Sequence, residues 1–387
     1  FLINPRTDWQ ALLEPHWANS LELMRAHKVV LNIQDTTELD FNARQTAGLG
    51  PLSYEAQRGM YLHPTYVISP EREPLGVLDA WMWAREPKDG HGHRPGMKES
   101  LRWIEGYERV AERAKALPEV RQVYVADREA DILALLVKAR DLNHAADYLI
   151  RCQHNRALPQ GDKLWARLAQ APVMGSVRFE MPAGRGRKAR SVRQHIRVEQ
   201  VQISDGAGGQ LSVTCLLAEE VNAPQGTKPV VWRLLSNRAV HTLEEAVELI
   251  DWYRARWEIE MFFLILKEGC RIEALQLGHI ERIETALALY LVVAWRINRL
   301  MRLGRNLPEL PADLLFETDE WQAAYILNKK PVPKTVPQLN AVVRLIARLG
   351  GFLCRKGDGE PGAKTLWLGL RDIAVFVEGA RFARRQL

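Results

Sequence analysis

The sequence predicts an α/β protein with a mixed sheet, interrupted by a β-rich insert and followed by a helical C-terminal region. Three observations carry this prediction. β-branched runs alternate with helix-period stretches before residue 159, short alternating runs fill 160–240, and helical periodicity dominates from 241 onward.

The elements follow in order. Residues 5–30 read as helical, with Trp9, Leu12, Leu13, Trp17, Leu21 and Met24 on one face and Pro15 as a kink point. Val29–Gln34 is a β-rich run that closes on Asp35. Met60–Ile68 and Leu75–Trp83 read as two further strands around a charged turn, and 84–99 as a loop. Ser100 opens a helix that Pro118 closes. Val120–Ala126 is a buried-type strand closing on Asp127, with a helix over Ala130–Arg140 and a short strand over Tyr148–Arg151. In the insert, strands are expected over Ser176–Glu180, His195–Ile203, Gln210–Ala218 and Val230–Leu235. The boundaries are therefore 1–28 for an N-terminal helical remnant, 29–159 and 241–300 for the two parts of a core, 160–240 for the insert and 301–387 for the helical tail.

Composition narrows the classes. The 387 residues carry 53 Lys+Arg against 47 Asp+Glu, a net charge of +6, with 47% hydrophobic residues. That excludes a disordered chain and a disulfide-stapled mini-domain. The longest apolar run, Ala286–Trp295, is half of the roughly 20 residues a membrane span needs. Four scattered cysteines form no C-x-x-C pair, so neither a zinc ribbon nor a disulfide framework is indicated. No signal peptide is read at the N-terminus.

Thr242-Leu243-Glu244-Glu245 is a capping box, and the helix it starts is expected to run to Lys267 or Glu268, with Gly269 as its stop. At 100° per residue, Tyr253, Arg256, Trp257, Glu260 and Lys267 fall within an arc of about 100°. A bland reading is an Arg256–Glu260 ion pair on a partly buried face. Asp35 and Asp127 taken singly read as turn residues or helix caps. Together, two strand-end carboxylates and one helical carboxylate are what a divalent-metal site requires, because Mg²⁺ prefers oxygen ligands. Two such ions activate a water and stabilise the leaving oxygen of a phosphodiester.

These residues resemble the DDE transposases of the insertion-sequence four family, the group that includes the transposase of transposon five. Gln34-Asp35-Thr36-Thr37 is similar to the first-Asp motif and Ala126-Asp127-Arg128-Glu129-Ala130-Asp131 to the second. Tyr253-x-x-Arg256-x-x-x-Glu260-x-x-x-x-x-x-Lys267 fits the family's Y-R-E-K signature at every spacing. Lys98-Glu99-Ser100-x-x-Trp103 and Ala347-Arg348-Leu349-Gly350-Gly351-Phe352 resemble secondary motifs. Asp35 and Asp127 lie 92 residues apart and Glu260 a further 133, the insert filling the second gap as in the family.

The resemblance implies a ribonuclease H-like core, with Asp35, Asp127 and Glu260 holding two Mg²⁺ or Mn²⁺ ions. It implies cut-and-paste transposition of double-stranded DNA by a homodimer in a paired-end complex, in the nucleoid-associated bacterial cytoplasm. Nicking, hairpin formation, hairpin opening and strand transfer would follow in turn. Tyr253, Arg256 and Lys267 would grip phosphates beside the scissile bond. Trp232 would stack on a flipped base, against the alternative of a core tryptophan. Arg151 would be a DNA contact. The cation run at 182–198, with Arg185, Arg187, Lys188 and Arg190, contains no acid; it reads as a solvated loop or as a DNA-backbone contact, and DNA contact is expected for the run as a whole. His91-Gly92-His93 lacks further ligands at useful spacing and is not assigned a metal. Glu38, Asp40, Glu129 and Asp131 are read as caps, surface charges or supporting groups. The stripe Trp367, Leu370, Ile373, Ala374 and Val377 is core-facing or a dimerisation face. The resemblance also implies a missing N-terminal DNA-binding segment. Two other readings stay open: a non-catalytic, inhibitory DNA-binding dimer, and a ribonuclease H-like nuclease without strand transfer.

Overall fold

The computed structural model describes residues 8–42, 45–181 and 188–386. Helix α1 (Trp9–Arg25), capped by Asp8 and running through Pro15, leads into strand β1 (Val29–Gln34). Two short strands not anticipated from sequence, β2 (Thr37–Asp40) and β3 (Gly50–Pro51), precede the long pair β4 (Arg58–Ile68) and β5 (Pro74–Trp83). Helix α2 (Leu101–Ala116), strand β6 (Arg121–Ala126), helix α3 (Leu133–Asp141) and strand β7 (Asp147–Arg151) complete the first part of the core.

The insert contributes helix α4 (Leu164–Gln170), also unanticipated, and strands β8 (Val173–Met181), β9 (Arg190–Ser204), β10 (Gln210–Glu220) and β11 (Val231–Ser236). These strands do not form a sheet of their own. β11 pairs antiparallel with β7, so the described strands make one 11-stranded sheet in the order β2-β4-β1-β6-β7-β11-β10-β9-β8, with β3 and β5 also paired to β4. Its centre, β1-β6-β7, is parallel and the remainder antiparallel.

Side chains alternate between the two faces along these central strands, as the pleat requires. Val123 and Val125 join one core with Leu31, Ile33 and Leu149, whereas Tyr124 joins a second with Tyr107, Leu135 and Tyr148. Helices α2, α3 and α4 cover that second face. The first face is covered by α5 (Leu243–Ala255), α6 (Glu258–Leu264) and α7 (Ile280–Asn306). Helices α8 (Thr318–Leu327), α9 (Leu339–Leu349) and α10 (Ala363–Gln386) extend the same core through Trp321, Ile346 and Ile373. A parallel centre buried on both faces is the arrangement in which strand C-termini are free to present functional groups.

Candidate active site

β1 and β6 pair in parallel with Gln34 opposite Ala126. The next residue on each strand is Asp35 and Asp127, so the two carboxylates leave neighbouring strand ends about 5 Å apart in backbone terms. Asp35 also interrupts a ladder. β1 pairs with β4 as far as Gln34↔Thr65, and β2 resumes in the same register at Thr37↔Leu62. Extending that register sets Pro64 opposite Asp35, and proline has no N–H to contribute. Asp127 caps a single-turn 3-10 helix over Arg128–Ala130, accepting from Glu129 N at 2.8 Å.

Asp35 is fixed from below by a buried polar chain. Its Oδ1 accepts from Thr36 N at 2.8 Å, and Thr36 Oγ1 lies 2.8 Å from His63 Nδ1. His63 Nε2 lies 3.2 Å from Gln34 Oε1, and Gln34 Nε2 donates to Thr65 Oγ1 at 2.7 Å. Burial pushes the His63 imidazole down to about 3, so the ring is neutral, donating from Nε2 and accepting at Nδ1. Trp103 of α2 closes over that ring edge-on at 4.5 Å. Gly106, one turn on, admits Gln34 beneath the helix: a Cβ there would meet Gln34 Oε1 at 2.0 Å.

The helix bearing the third carboxylate starts as expected, with Thr242 and Glu245 capping reciprocally. It is not one helix to Lys267. α5 ends at Ala255, α6 begins at Glu258, and a π-helical turn over Ile265–Gly269 closes the segment. At the break, the guanidinium of Arg256 is ion-paired with Asp35 and lies 3.9 Å from Glu260, which is 43% exposed. Burial pushes the Asp35 carboxyl up to about 7, against the pull of Arg256 and helped by the negative charges of Asp127 and Glu260. The three carboxylates therefore sense one another, with Arg256 between two of them.

Tyr253 is buried, its hydroxyl raised by desolvation while Arg256 and Arg151 hold it down. Arg151 is exposed at the end of β7. Trp232 is half-buried, stacked on Phe179 at 5.6 Å and edge-on to Tyr253 at 6.3 Å. One of its faces is therefore covered by Phe179. Trp257, on the predicted arc but given no role from sequence, is the open aromatic, 64% exposed beside Arg256.

Two of the expected DNA-binding cations have acidic partners within the chain. Lys267 lies in the π-helical turn, its ammonium 4.0 Å from Glu273, in a groove with Arg271 and Lys364. Arg190 directs two guanidinium nitrogens at the buried carboxylate of Glu220, which also accepts from Val230 N at 2.8 Å. Its charge is spent inside the sheet, and the DNA contact expected of it is withdrawn. Lys188 is exposed, while Arg185 and Arg187 lie outside the described residues.

Asp131, read from sequence as a cap, surface charge or supporting group, anchors the loop after β7. It accepts from Gln153 N at 2.7 Å and His154 N at 2.8 Å, and pairs with Arg156 at 2.5 Å. The motif spacing of four residues from Asp127 is the only sequence signal that pointed to it. Among the described residues, no three His, Cys, Asp or Glu side chains are gathered closely enough to enclose a metal ion as they stand.

The matches to known families agree with this geometry. Residues 292–386 match the transposase Tn5 dimerisation domain, from the middle of α7 through α10. Residues 94–296, more than half of the chain, match the transposase DDE domain; the match includes Asp127, Tyr253, Arg256 and Glu260, while Asp35 precedes it. The chain belongs to the transposase DDE family.

Proposed function

We propose that this transposase carries out metal-dependent cut-and-paste transposition, with Asp35, Asp127 and Glu260 as the metal-holding carboxylates. The observation that carries the reading is the pairing of Gln34 with Ala126, which sets Asp35 and Asp127 on adjacent parallel strand ends. Hard carboxylate oxygens are the donors Mg²⁺ or Mn²⁺ prefers. Burial, and after it the negative charges of Asp127 and Glu260, raise the Asp35 carboxyl, and a bound cation would favour its ionised form. When bound, two such ions would supply an activated water and charge neutralisation at the phosphoryl group.

The chain's own groups have separable tasks. Arg256 neutralises Asp35 in the metal-free protein and lies within reach of Glu260, so it orders the two before an ion arrives. Tyr253 and Arg151, in contact with each other at the end of β7, offer a phenol and a guanidinium to a backbone phosphate. Trp257 and, if Phe179 moves aside, Trp232 supply ring surface to an unstacked base next to the cut. Nicking, hairpin formation and opening, and strand transfer are then successive in-line displacements at one site, for which positioning supplies much of the catalysis. Val375 and Phe382, seven residues apart and exposed on α10 within the matched dimerisation domain, support pairing with a second copy.

The test uses end-bearing DNA with Mg²⁺ or Mn²⁺, comparing the wild type with Asp127→Ala. Metal-dependent nicks followed by hairpins and joined products are expected from the wild type alone. Equal cleavage by both proteins would remove the carboxylate site. Cleavage without joined products would favour a nuclease lacking strand transfer, and inhibition of an intact transposase without cleavage would favour the inhibitory dimer.

A further inference from the structure

Beside Asp127, at the end of β7, lies a cleft of about 200 Å³ lined by Arg128, Arg151, Cys152, Trp165, Val231 and Arg233. Three arginines converge there, and among the described residues none of them forms an ion pair. Their neighbours are different: Arg156 is paired with Asp131 and Arg167 with Glu199. The arginines reach the cleft from both faces of the sheet. Arg151 comes from the face that carries Tyr253, whereas Arg233 alternates with Trp232 and shares the opposite face with Val231 and Leu235. Arg233 is also held in place, its guanidinium resting 4.6 Å over the Trp165 ring.

Three unneutralised cations around one cleft repel each other, and an anion entering it removes that repulsion. The planar, multiply donating guanidinium selects oxyanions, and stacking on an indole spares it the ordering cost of binding. The cleft is large enough for a phosphate, and its convergent guanidinium groups favour one. We infer that this notch binds a backbone phosphate of the DNA strand that passes Asp127, with Arg233 as its anchor. The inference rests on the DNA-acting reading above, and it extends the contact surface past the end of β7 to the face away from Tyr253. The same phosphodiester chemistry is offered by a duplex and by an unpaired strand, so both serve as probes.

The experiment measures binding of a short fluorescein-labelled duplex, and separately of its single strand, to the full chain by anisotropy in EDTA across a salt titration. For Arg233→Gln, the slope of log Kobs against log salt should become shallower by about 0.9 on duplex or about 0.7 on single strand. Affinity near 0.1 M salt should then fall about eight-fold on the duplex. The probe that shows the change identifies the source of the phosphate. Arg233→Lys, which keeps the charge, should keep the wild-type slope, as should Lys330→Gln, an exposed cation of the C-terminal region. An unchanged slope in Arg233→Gln, with wild type binding and cleaving normally, overturns the notch and leaves the transposase reading standing. Equal loss in Arg233→Lys and Arg233→Gln also overturns it, because the side chain would then matter for shape alone. No binding by the wild type to either probe defeats both.

Discussion

Asp131, fully buried, and Asp35, half-buried, are carboxylates that each face an arginine, yet their surroundings are opposite. Asp131 accepts two backbone N–H groups and one guanidinium, and all of its partners belong to the loop it pins. Asp35 accepts one backbone N–H and one guanidinium while facing two further carboxylates. The first is a satisfied buried ion pair. The second is an excess of negative charge kept in place by packing, and such excess is the usual mark of a site built for something other than stability. The difference predicts that mutations at the two places fail in different currencies.

The largest effect should come from Glu260→Gln. It removes one of the three charges with almost no change in shape, and Glu260 is substantially exposed. Cleavage of end DNA should fall by at least about 10⁴-fold, as for members of other cooperating catalytic sets. Stability should stay within about 0.5 kcal/mol of wild type, because the position is a partly solvated one. A urea midpoint that moves as much as the rate would break the contrast.

Asp131→Ala should do the reverse. It strands Arg156 without a partner and leaves two loop amides unbonded, a change that costs about 3–5 kcal/mol when a buried pair is broken. The expected record is a large drop in the urea midpoint, with metal-dependent cleavage by the remaining folded protein reduced far less than in Glu260→Gln. Between these two, Gly106→Ala probes the packing under the site. The added Cβ drives into Gln34 Oε1, and overpacking of this kind costs about 1–3 kcal/mol. Because Gln34 holds His63 and His63 holds Thr36, both stability and cleavage should suffer, and Gln34→Ala in the same background should restore part of the stability.

Part of this architecture was legible in the sequence because its signals are local. β1 and β6 are β-branched runs, each followed at once by an Asp, and the capping box at Thr242 fixes where α5 begins. What was missed depends on distant partners. The pairing of β11 with β7 joins segments some 80 residues apart, which turns an apparent insert into an extension of the core sheet. The break at Arg256–Trp257 contains neither Gly nor Pro, and it coincides with the tie from Arg256 to Asp35 across the chain. Arg190 looked like part of a free cation run because Glu220, its partner, lies on another strand. The helical wheel assumes one continuous helix, whereas the chain breaks between Ala255 and Glu258 and enters a π turn at Ile265.

The smallest effect separates burial from charge repulsion as causes of a shifted group. His16 is buried in α1, accepts from Val77 N at 3.0 Å and is pushed down to about 4 by desolvation alone. Its folded-state value lies below the ordinary 6.5, so between those limits the unfolded chain binds more protons and His16 removes stability as pH falls. His63 acts in the same sense. Asp35 and Glu284 act oppositely: both are raised to about 7, so the folded chain takes up protons on acidification and gains stability below that point. The wild type should therefore show a shallow dependence between pH 6.5 and 5, with losses and gains offsetting. His16→Gln retains an acceptor for Val77 but cannot be protonated, and it removes one of these losses. Relative to wild type it should gain stability on acidification, approaching about 1.4 kcal/mol per pH unit. Urea midpoints of both proteins across that range measure the difference directly. Parallel curves would mean that His16 is solvated enough to titrate normally, and that burial alone does not shift groups in this fold.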